Sequence, residues 1–148
     1  MNKQLKIALV AHDQRKADMV EWALYNAGML SKHQLICTGT TGTLIGEAFR
    51  EKGIDADITC MNSGPMGGDA EIAALVVRKQ IDLAVFLIDD LNAQPHEADI
   101  QMLLRQCRIH NVPIACNRYS ADLMITSTLW DDDSYIPSLP RYVKFKRN

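Results

Sequence analysis

The amino-acid sequence predicts a doubly wound, three-layer α/β sandwich whose central sheet has five strands, mainly parallel. The first observation is that short apolar runs alternate with amphipathic helical runs, and this alternation occurs five times within 148 residues. The second is that the strand-like runs are apolar along most of their length, which is typical of parallel strands covered on both faces. We therefore predict a single domain over residues 1–148, ending in a polar tail over residues 128–148.

Each predicted strand is a short apolar run bounded by turn residues. The strands are predicted over residues 5–10, 34–37, 56–61, 83–88 and 112–116. Between and after them, apolar residues recur at helical spacing. The corresponding helices are predicted over residues 14–27, 43–52, 70–79, 97–110 and 120–127.

The helix ends are predicted from residues that favour caps. Asp13 is expected to cap the first helix and Gly28 to end it, while Ser120 is expected to cap the last helix. The buried face of the first helix is predicted from its apolar spacing. It comprises Ala17, Val20, Ala23 and Leu24.

Composition excludes several broad classes of function. With 16 basic and 18 acidic residues the net charge is -2, so nothing global indicates nucleic acid or an anionic membrane, and any anion site must be local. No apolar run approaches 18 residues and the N-terminus has no signal-peptide core, so a soluble cytoplasmic protein is expected.

The four cysteines lack CxxC spacing and are predicted to be buried reduced thiols, with a reactive or metal-binding role as the alternative. They are Cys37, Cys60, Cys107 and Cys116.

The most informative stretch is Ser-Gly-Pro-Met-Gly-Gly-Asp at residues 63–69, between a predicted strand and a predicted helix. Three glycines within five residues permit close approach of a ligand, and Pro65 stiffens the turn. Asp69 lies where the helix begins, and the free N–H groups and helix dipole there are expected to favour its ionised form. Asp69 is therefore a candidate general base. The alternative is that Asp69 is only a helix cap and the glycines only form a turn.

Unusual polar residues follow four of the predicted strands. In open parallel α/β sheets, ligands bind at the carboxyl ends of the strands. The residues concerned are His12, Asp13 and Lys16 after the first strand, residues 38–42 after the second, residues 63–69 after the third and residues 92–99 after the fourth. Their convergence predicts one polar site at that edge of the sheet.

One part of this site has the composition of a phosphate-binding loop. Residues 38–42, Thr-Gly-Thr-Thr-Gly, offer hydroxyl and backbone N–H donors before a helix start, although they lack the Gly-Lys-Ser/Thr ending of a Walker loop. Lys16 is predicted to supply a cation to the same phosphate. The alternatives are a threonine-capped helix entry and a solvated surface lysine.

His96 and Asp99 are spaced to share one side of a helix start. A neutral histidine can polarise a carbonyl group, and a nearby carboxylate can orient the histidine or accept a proton. A helix cap is the alternative. Metal ligation is the rival interpretation of the whole cluster, but no HxH, HExxH or paired-cysteine motif supports it, so no metal is predicted.

Four motifs together carry a resemblance to a known family. They are Val-Ala-His-Asp at residues 10–13 with Lys16, and the stretches 38–42, 63–69 and 91–99, the last being Leu-Asn-Ala-Gln-Pro-His-Glu-Ala-Asp. Over residues 7–141 the chain resembles the methylglyoxal synthases. The resemblance implies conversion of dihydroxyacetone phosphate to methylglyoxal and phosphate, as a glycolytic bypass, in a cytoplasmic homohexamer that needs no metal or organic cofactor. It also implies the strand order 3-2-1-4-5.

The resemblance further implies roles for individual residues. Asp69 looks like the base that takes a proton from the hydroxymethyl carbon, His96 like the electrophile at the substrate oxygens, and Asp99 like a second catalytic carboxylate. The phosphate group, whose free form is expected to inhibit, would be bound by Lys16, Thr38, Gly39, Thr40, Thr41, Ser63 and Gly64, with His12 nearby.

Supporting positions are implied for Asp13, Asp89 and Arg141, the last reaching the site from the tail, in its own or a neighbouring subunit. Asp90 departs from the family, which favours proline there.

Two other classes of protein share parts of this pattern. A regulatory module like that at the end of large carbamoyl-phosphate synthetases would make the chain a ligand sensor, but sensing does not require the set of Asp69, His96 and Asp99, and no attached enzyme is expected. A receiver-type signalling domain would use Asp13 or Asp89 as phosphoacceptor, but it leaves both glycine-rich loops unexplained.

Overall fold

The computed structural model describes residues 3–142. Five strands and six helices alternate along the chain. The strands are β1 (Lys6–Ala11), β2 (Gln34–Cys37), β3 (Asp57–Cys60), β4 (Leu83–Leu87) and β5 (Ile114–Ala115). The helices are α1 (Lys16–Tyr25), α2 (Ala27–Leu30), α3 (Gly39–Glu51), α4 (Gly68–Val77), α5 (Glu97–Ile109) and α6 (Arg118–Ile125). Short 3₁₀ turns lie at Asp13–Arg15, Gly64–Met66 and Thr128–Asp131.

The sheet is parallel throughout, with the strand order β3-β2-β1-β4-β5. β1 is central: Ala8 lies opposite Ile36 of β2 on one side and Ala84 of β4 on the other. The predicted fold class and the strand order implied by the resemblance are both confirmed. The order reverses direction between β1 and β4, which is where open α/β sheets form a binding crevice.

Helices cover both faces of the sheet because alternate strand residues point to opposite sides. In β1, Ile7 and Leu9 pack with the buried residues of α1, α2, α3 and α6, whereas Ala8 and Val10 pack with those of α4 and α5. The molecule therefore has two apolar cores separated by one sheet. The largest fully buried side chains include Trp22, Phe49 and Phe86.

The start of α1 differs from the prediction. A 3₁₀ turn precedes the helix, and Asp13 does not cap it but instead accepts a hydrogen bond of 2.6 Å from Lys16 Nζ. The predicted buried face was wrong at Ala17, which is exposed. Trp22 takes the core position instead and donates its indole N–H to Asp122 over 2.9 Å. Burial of this large side chain determines how α1 is turned about its own axis, and therefore which face of the helix is buried.

Other helix ends also differ from the prediction. Gly28 does not end a helix, because it lies within α2. Ser120 is inside α6 rather than its cap: Asn117 caps the helix by accepting the Ser120 backbone N–H over 2.8 Å. The stretch 38–42 is not a loop, since α3 begins at Gly39. Its threonines and glycines form the first turn of that helix.

Only half of the cysteine prediction is correct. All four thiols are free, but Cys60 and Cys116 are exposed, whereas Cys37 and Cys107 are buried. Burial raises the pKa of Cys37, and it raises the pKa of Cys107 to about 11. Cys60 is exposed because β3 is an edge strand without a fully buried residue.

The turns that lead from helices back into strands lie at the amino edge of the sheet, opposite the edge that carries the predicted site. After α3, α4 and α5 the turn contains one residue with positive φ, namely Gly53 (68°), Lys79 (59°) and Asn111 (58°). Asn111 also donates its side-chain amide to the carbonyl of Ser138 over 2.9 Å, which attaches the tail to this edge.

No helix among residues 3–142 is long and apolar enough to cross a membrane.

We predict that Gly68→Ala destabilises the fold, because a Cβ atom at Gly68 would overlap the carbonyl oxygen of Asn62 and lie 3.0 Å from that of Ser63. Relieving the clash should cost about 1–3 kcal/mol, measured by urea unfolding. Gly46→Ala is the matched control. Its Cβ would meet only Ile58 at an ordinary 3.8 Å, so it should raise stability by about 0.5–1 kcal/mol. Equal effects of the two substitutions would contradict the clash.

Candidate active site

The segments that follow β1, β2, β3 and β4 line a cavity of about 50 Å³ at the carboxyl edge of the sheet. The cavity is small, with space for a few water molecules. The structure brings together nine of the predicted site residues here. They are His12, Asp13, Lys16, Thr38, Thr40, Ser63, Gly64, Asp69 and His96.

A buried carboxylate and imidazole form the centre of the cavity. Asp69 lies in the first turn of α4 and is 0% exposed, and its Oδ2 is 3.5 Å from Nε2 of His96. Asp69 does not cap the helix; the N-cap residue is Gly67, with φ of 102°. Burial raises the pKa of Asp69, although the nearby imidazole of His96 works in the opposite direction. The helix start was expected to favour the ionised form of Asp69, but the net shift of its pKa is upward because burial is the largest influence on it.

Unpartnered polar atoms concentrate at this point. Within residues 3–142, six buried side-chain nitrogen or oxygen atoms have no hydrogen-bond partner, and five of them belong to His12, Asp69 and His96. The sixth is Nε2 of His33, elsewhere in the fold. Buried polar groups are normally hydrogen-bonded, because leaving them unpaired costs about 1–3 kcal/mol each. A cluster of five such atoms indicates a site built for an external polar ligand.

The tautomer of His12 follows from its hydrogen bond. Nδ1 of His12 accepts the backbone N–H of Asp89 over 2.8 Å, so in the neutral ring Nε2 carries the proton. The imidazole of His96 lies edge-on to that of His12, with ring centroids 5.4 Å apart. Burial lowers the pKa of His12, and His96 lowers it further. His12 is thus a neutral N–H donor beside the Asp69–His96 pair.

Gly64 allows the loop after β3 to pass close to that pair. A Cβ atom at Gly64 would lie 2.8 Å from Nε2 of His96 and 3.3 Å from Oδ1 of Asp69. Any larger residue here would have to displace the imidazole of His96, so glycine lets the loop cross the site without disturbing the pair.

The start of α3 presents donors for an anion. The N-cap residue Thr38 makes no side-chain capping bond, while the backbone N–H of Gly39 donates to Asn62 and that of Gly42 to Thr38. Among the described residues, the N–H groups of Thr40 and Thr41 have no backbone acceptor. Free N–H groups and the positive end of a thirteen-residue helix form a ready anion site.

Lys16 is held against the same region. Its Nζ donates to the carbonyl of Ala11 over 2.9 Å and to Oδ1 of Asp13 over 2.6 Å. Since an ammonium group has three N–H bonds, one remains for a ligand. Lys16 is half-buried, so the solvated-lysine alternative is wrong, and its hydrogen bond lowers the pKa of the exposed Asp13.

Five predicted residues lie outside the cavity lining. Asp99 is half-buried in the first turn of α5, and its charge raises the pKa of Asp69. Asp89 holds His12 through its backbone N–H, Thr41 is buried with its hydroxyl 3.4 Å from the carbonyl of Ala11, and Gly39 packs against the loop after β3. Arg141 is exposed in the tail.

Four further residues line the cavity; they lie in stretches that the sequence pointed to, but none was assigned an individual site role. They are Val10, Ala11, Pro65 and Gln94. Gln94 lies two residues before His96, within a stretch already recognised as polar, and that position was the available signal.

Three of the cavity residues also have the composition of a metal site. Ligand atoms of His12, Asp69 and His96 all lie within 4.8 Å of one another, the one such group found among residues 3–142. Two imidazoles and a carboxylate can bind zinc. The prediction of a metal-free site is therefore one that a chelator must test.

A larger cleft, of about 930 Å³, lies at the amino edge of the sheet beside the tail. Its lining includes Trp130, Tyr135 and Leu139, but none of the unpartnered histidine and carboxylate atoms of the cavity. The unpartnered polar atoms, rather than size, therefore distinguish the smaller cavity as the functional site.

The fold and the site together define a domain of a recognised class. A family model described as "MGS-like domain" matches residues 18–116. The chain is 75% identical over 147 residues to a methylglyoxal synthase of Treponema socranskii, covering 99% of this chain and 93% of that one. It is 43% identical over 141 residues to a methylglyoxal synthase of Coxiella burnetii, covering 95% of this chain and 94% of the relative.

A solved structure agrees with these relatives. The crystal structure of methylglyoxal synthase from Elizabethkingia anophelis NUHP1 is similar with a TM-score of 0.82 and 39% sequence identity, covering 98% of this chain and 92% of that one. The chain therefore belongs to the methylglyoxal synthase family. It is an enzyme, a lyase that acts on phosphates.

We predict that Asp69→Asn stabilises the fold at neutral and alkaline pH. Because burial raises the folded-state pKa of Asp69 above its ordinary value of 3.8, the native state loses stability as pH rises from that value through the raised pKa. Asparagine has no charge to desolvate. The variant should therefore have the higher Tm at pH 8, and the difference should vanish towards pH 4.

The exposed Asp55 provides the control for that comparison. Asp55→Asn should leave Tm nearly unchanged at both pH values. An Asp69→Asn variant that is less stable than the parent at pH 8, or a difference independent of pH, would contradict the assignment of a destabilising buried carboxylate.

Proposed function

We propose that this protein is a methylglyoxal synthase, which converts dihydroxyacetone phosphate to methylglyoxal and phosphate. The observation that carries the proposal is the Asp69 carboxylate, buried and 3.5 Å from His96, in the same small cavity as the donors at the start of α3 and Lys16. The cavity thus has one part suited to phosphate and another suited to removing a proton next to a carbonyl group. The names of the relatives support the same reaction.

A sensor of phosphate compounds is the alternative, and the charge of Asp69 argues against it. A carboxylate beside a bound phosphate repels it, so a site that only had to bind phosphate would be weakened by Asp69. Its burial without a hydrogen bond adds a further cost. Such a group is favourable only if it takes part in chemistry.

In the bound substrate, the phosphate group would accept hydrogen bonds from the free N–H groups at the start of α3. Thr38, Ser63 and the backbone of Gly64 lie around the same cavity, and Lys16 supplies the positive charge. Because Lys16 is already fixed by Ala11 and Asp13, little side-chain freedom is lost on binding.

Proton transfer would then begin at Asp69. The carboxylate takes a proton from the hydroxymethyl carbon, and the electron pair moves towards the carbonyl oxygen to give an enediolate. His96 and the Nε2–H of His12 would donate to the substrate oxygens where negative charge develops. The raised pKa of Asp69 makes the carboxylate a stronger base than an exposed aspartate. Asp99 would assist by its charge on Asp69.

Elimination would complete the reaction. The oxygen on the former hydroxymethyl carbon becomes the aldehyde carbonyl as its proton passes to the phosphate product, the enediolate double bond shifts to the adjacent carbon–carbon bond, and the carbon–oxygen bond to phosphate breaks with its electron pair leaving on phosphate. The resulting enolate takes up a proton at its terminal carbon to give methylglyoxal. Elimination requires the breaking carbon–oxygen bond to be parallel to the p orbitals of the enediolate, perpendicular to its plane. The phosphate donors, which fix the direction of this bond, therefore determine whether elimination occurs as well as how tightly the substrate binds.

The remaining features of the assignment are also proposals. We expect a cytoplasmic homohexamer acting as a glycolytic bypass, in which Arg141 contributes from the tail, in its own or a neighbouring subunit. The open edge strand β3, with no buried residue among its four, supports contact with another subunit. Sedimentation velocity would measure the oligomeric state.

The reaction is tested by incubating the chelator-treated protein with dihydroxyacetone phosphate and measuring methylglyoxal and free phosphate. We expect equimolar products, and we expect Asp69→Asn to lower kcat by about 10²–10⁴-fold because the base is lost. Asp55→Asn is the control and should retain activity. Release that depends on added zinc would point to the metal-binding interpretation, and binding without any release would support the sensor.

Inorganic phosphate should inhibit competitively, because a site for the phosphate group must also bind the product. Lys16→Met should raise the inhibition constant for phosphate about tenfold or more, as a charge-assisted hydrogen bond contributes about 1.5–3 kcal/mol. Lys52, exposed at the far end of α3, provides the control as Lys52→Met. Equal inhibition constants in the two variants would contradict the role of Lys16.

A further inference from the structure

Gln94 lines the cavity but has no part in the reaction as proposed above. It lies in the loop between β4 and α5, two residues before His96, and it is half-buried. A glutamine side chain carries both a donor and an acceptor, and its function depends on which of them is already occupied.

A chain of hydrogen bonds fixes the orientation of this side chain. Nε2 of Gln94 donates to the backbone carbonyl of Asn92 over 3.2 Å, and Nδ2 of Asn92 donates to Oδ2 of Asp89 over 2.9 Å. Asp89 also accepts the N–H of Leu91 over 3.0 Å and donates its own N–H to His12. The same network thus holds His12 and Gln94.

These bonds determine which end of the amide is available. The carbonyl oxygen of Asn92 can only accept, so the amide nitrogen of Gln94 must face it. Oε1 is then the free end, and no donor among the described residues is paired with it. Gln94, which lines the cavity, therefore has a neutral acceptor oxygen with no partner among the described residues.

The proposed substrate has one group that such an acceptor can bind. The phosphate and carbonyl oxygens of dihydroxyacetone phosphate accept hydrogen bonds, and its hydroxymethyl group alone carries an O–H donor. The cavity is rich in donors, through Lys16, His12 and the start of α3. Its carboxylate acceptor, Asp69, would be diverted from the neighbouring C–H bond if it bound the hydroxyl group.

We infer that Oε1 of Gln94 accepts a hydrogen bond from the hydroxymethyl hydroxyl group of the substrate, which turns the adjacent C–H bond towards Asp69 and selects substrates that carry this hydroxyl group. The inference rests on the proposed function, since it assumes a hydroxymethyl ketone phosphate in this cavity. It adds a specificity-determining residue to that site.

The test is a binding cycle in the Asp69→Asn background, where turnover should not interfere. The ligands are dihydroxyacetone phosphate and acetonyl phosphate, which lacks only the hydroxyl group. Adding Gln94→Leu should lower the affinity for dihydroxyacetone phosphate about five- to tenfold, the value of one hydrogen bond. The affinity for acetonyl phosphate should change less than twofold. Calorimetric titration measures both affinities.

Gln101→Leu is the matched control, because Gln101 is exposed on α5 and donates only to Glu97. It should change neither affinity. Equal weakening of both ligands by Gln94→Leu, or no weakening of either, would overturn the inference.

The wild-type assay for methylglyoxal separates this outcome from the proposed function. Absence of product would overturn the reaction, whereas the binding cycle depends only on how the two ligands are held. In an active enzyme, Gln94→Leu should also lower kcat/KM for dihydroxyacetone phosphate while leaving the inhibition constant for inorganic phosphate within twofold.

Discussion

The buried contact between Asp69 and His96 is the constraint on which the rest of the site depends. Placing an unpaired carboxylate out of water is unfavourable, and the surrounding fold has to hold it there. Two glycines make this possible: Gly68 brings the start of α4 against Asn62, and Gly64 lets the loop pass beside both side chains. Stability is thus sacrificed locally, which fits the proposed roles of Asp69 as base and His96 as electrophile.

The sheet order determines which groups meet that pair. Because β1 lies between β2 and β4, the segments after these strands emerge side by side, and β3 adds its loop from the edge. The segments after β1 and β2 contribute Lys16 and the donors at the start of α3, whereas those after β3 and β4 contribute Asp69 and His96. Neither half is contiguous in sequence, so the site exists only when the parallel sheet is complete.

Much of the fold could be predicted from the sequence, because apolar runs and helical periodicity are local signals. β2 was predicted to the residue, and the centres of the other strands and of five helices were correct. The strand order was not available from periodicity and came from the resemblance. The errors arose where a tertiary contact overrode a local preference, as when Trp22 rather than Ala17 set the buried face of α1.

The same distinction between local signals and tertiary contacts applies to the site. The residue types and the edge of the sheet were predictable, since ligands bind at the carboxyl ends of parallel strands. The state of Asp69 was not, because desolvation by neighbours distant in sequence outweighs the local effect of the helix start. Gln94 was missed for a related reason: its exposure to the cavity depends on Asn92 and Asp89, whose arrangement no spacing rule reveals.

The left-handed turns at the amino edge have a consequence for how this protein can change. Lys79 and Asn111 hold positive φ at a conformational cost that glycine would avoid, and both lie at the edge opposite the cavity. Replacing Lys79 by glycine can therefore raise the stability of the whole chain at a position far from the cavity, whereas Asn111 also attaches the tail. Stability gained by substitution at the amino edge could thus compensate for destabilising substitutions made at the carboxyl edge, where the cavity lies.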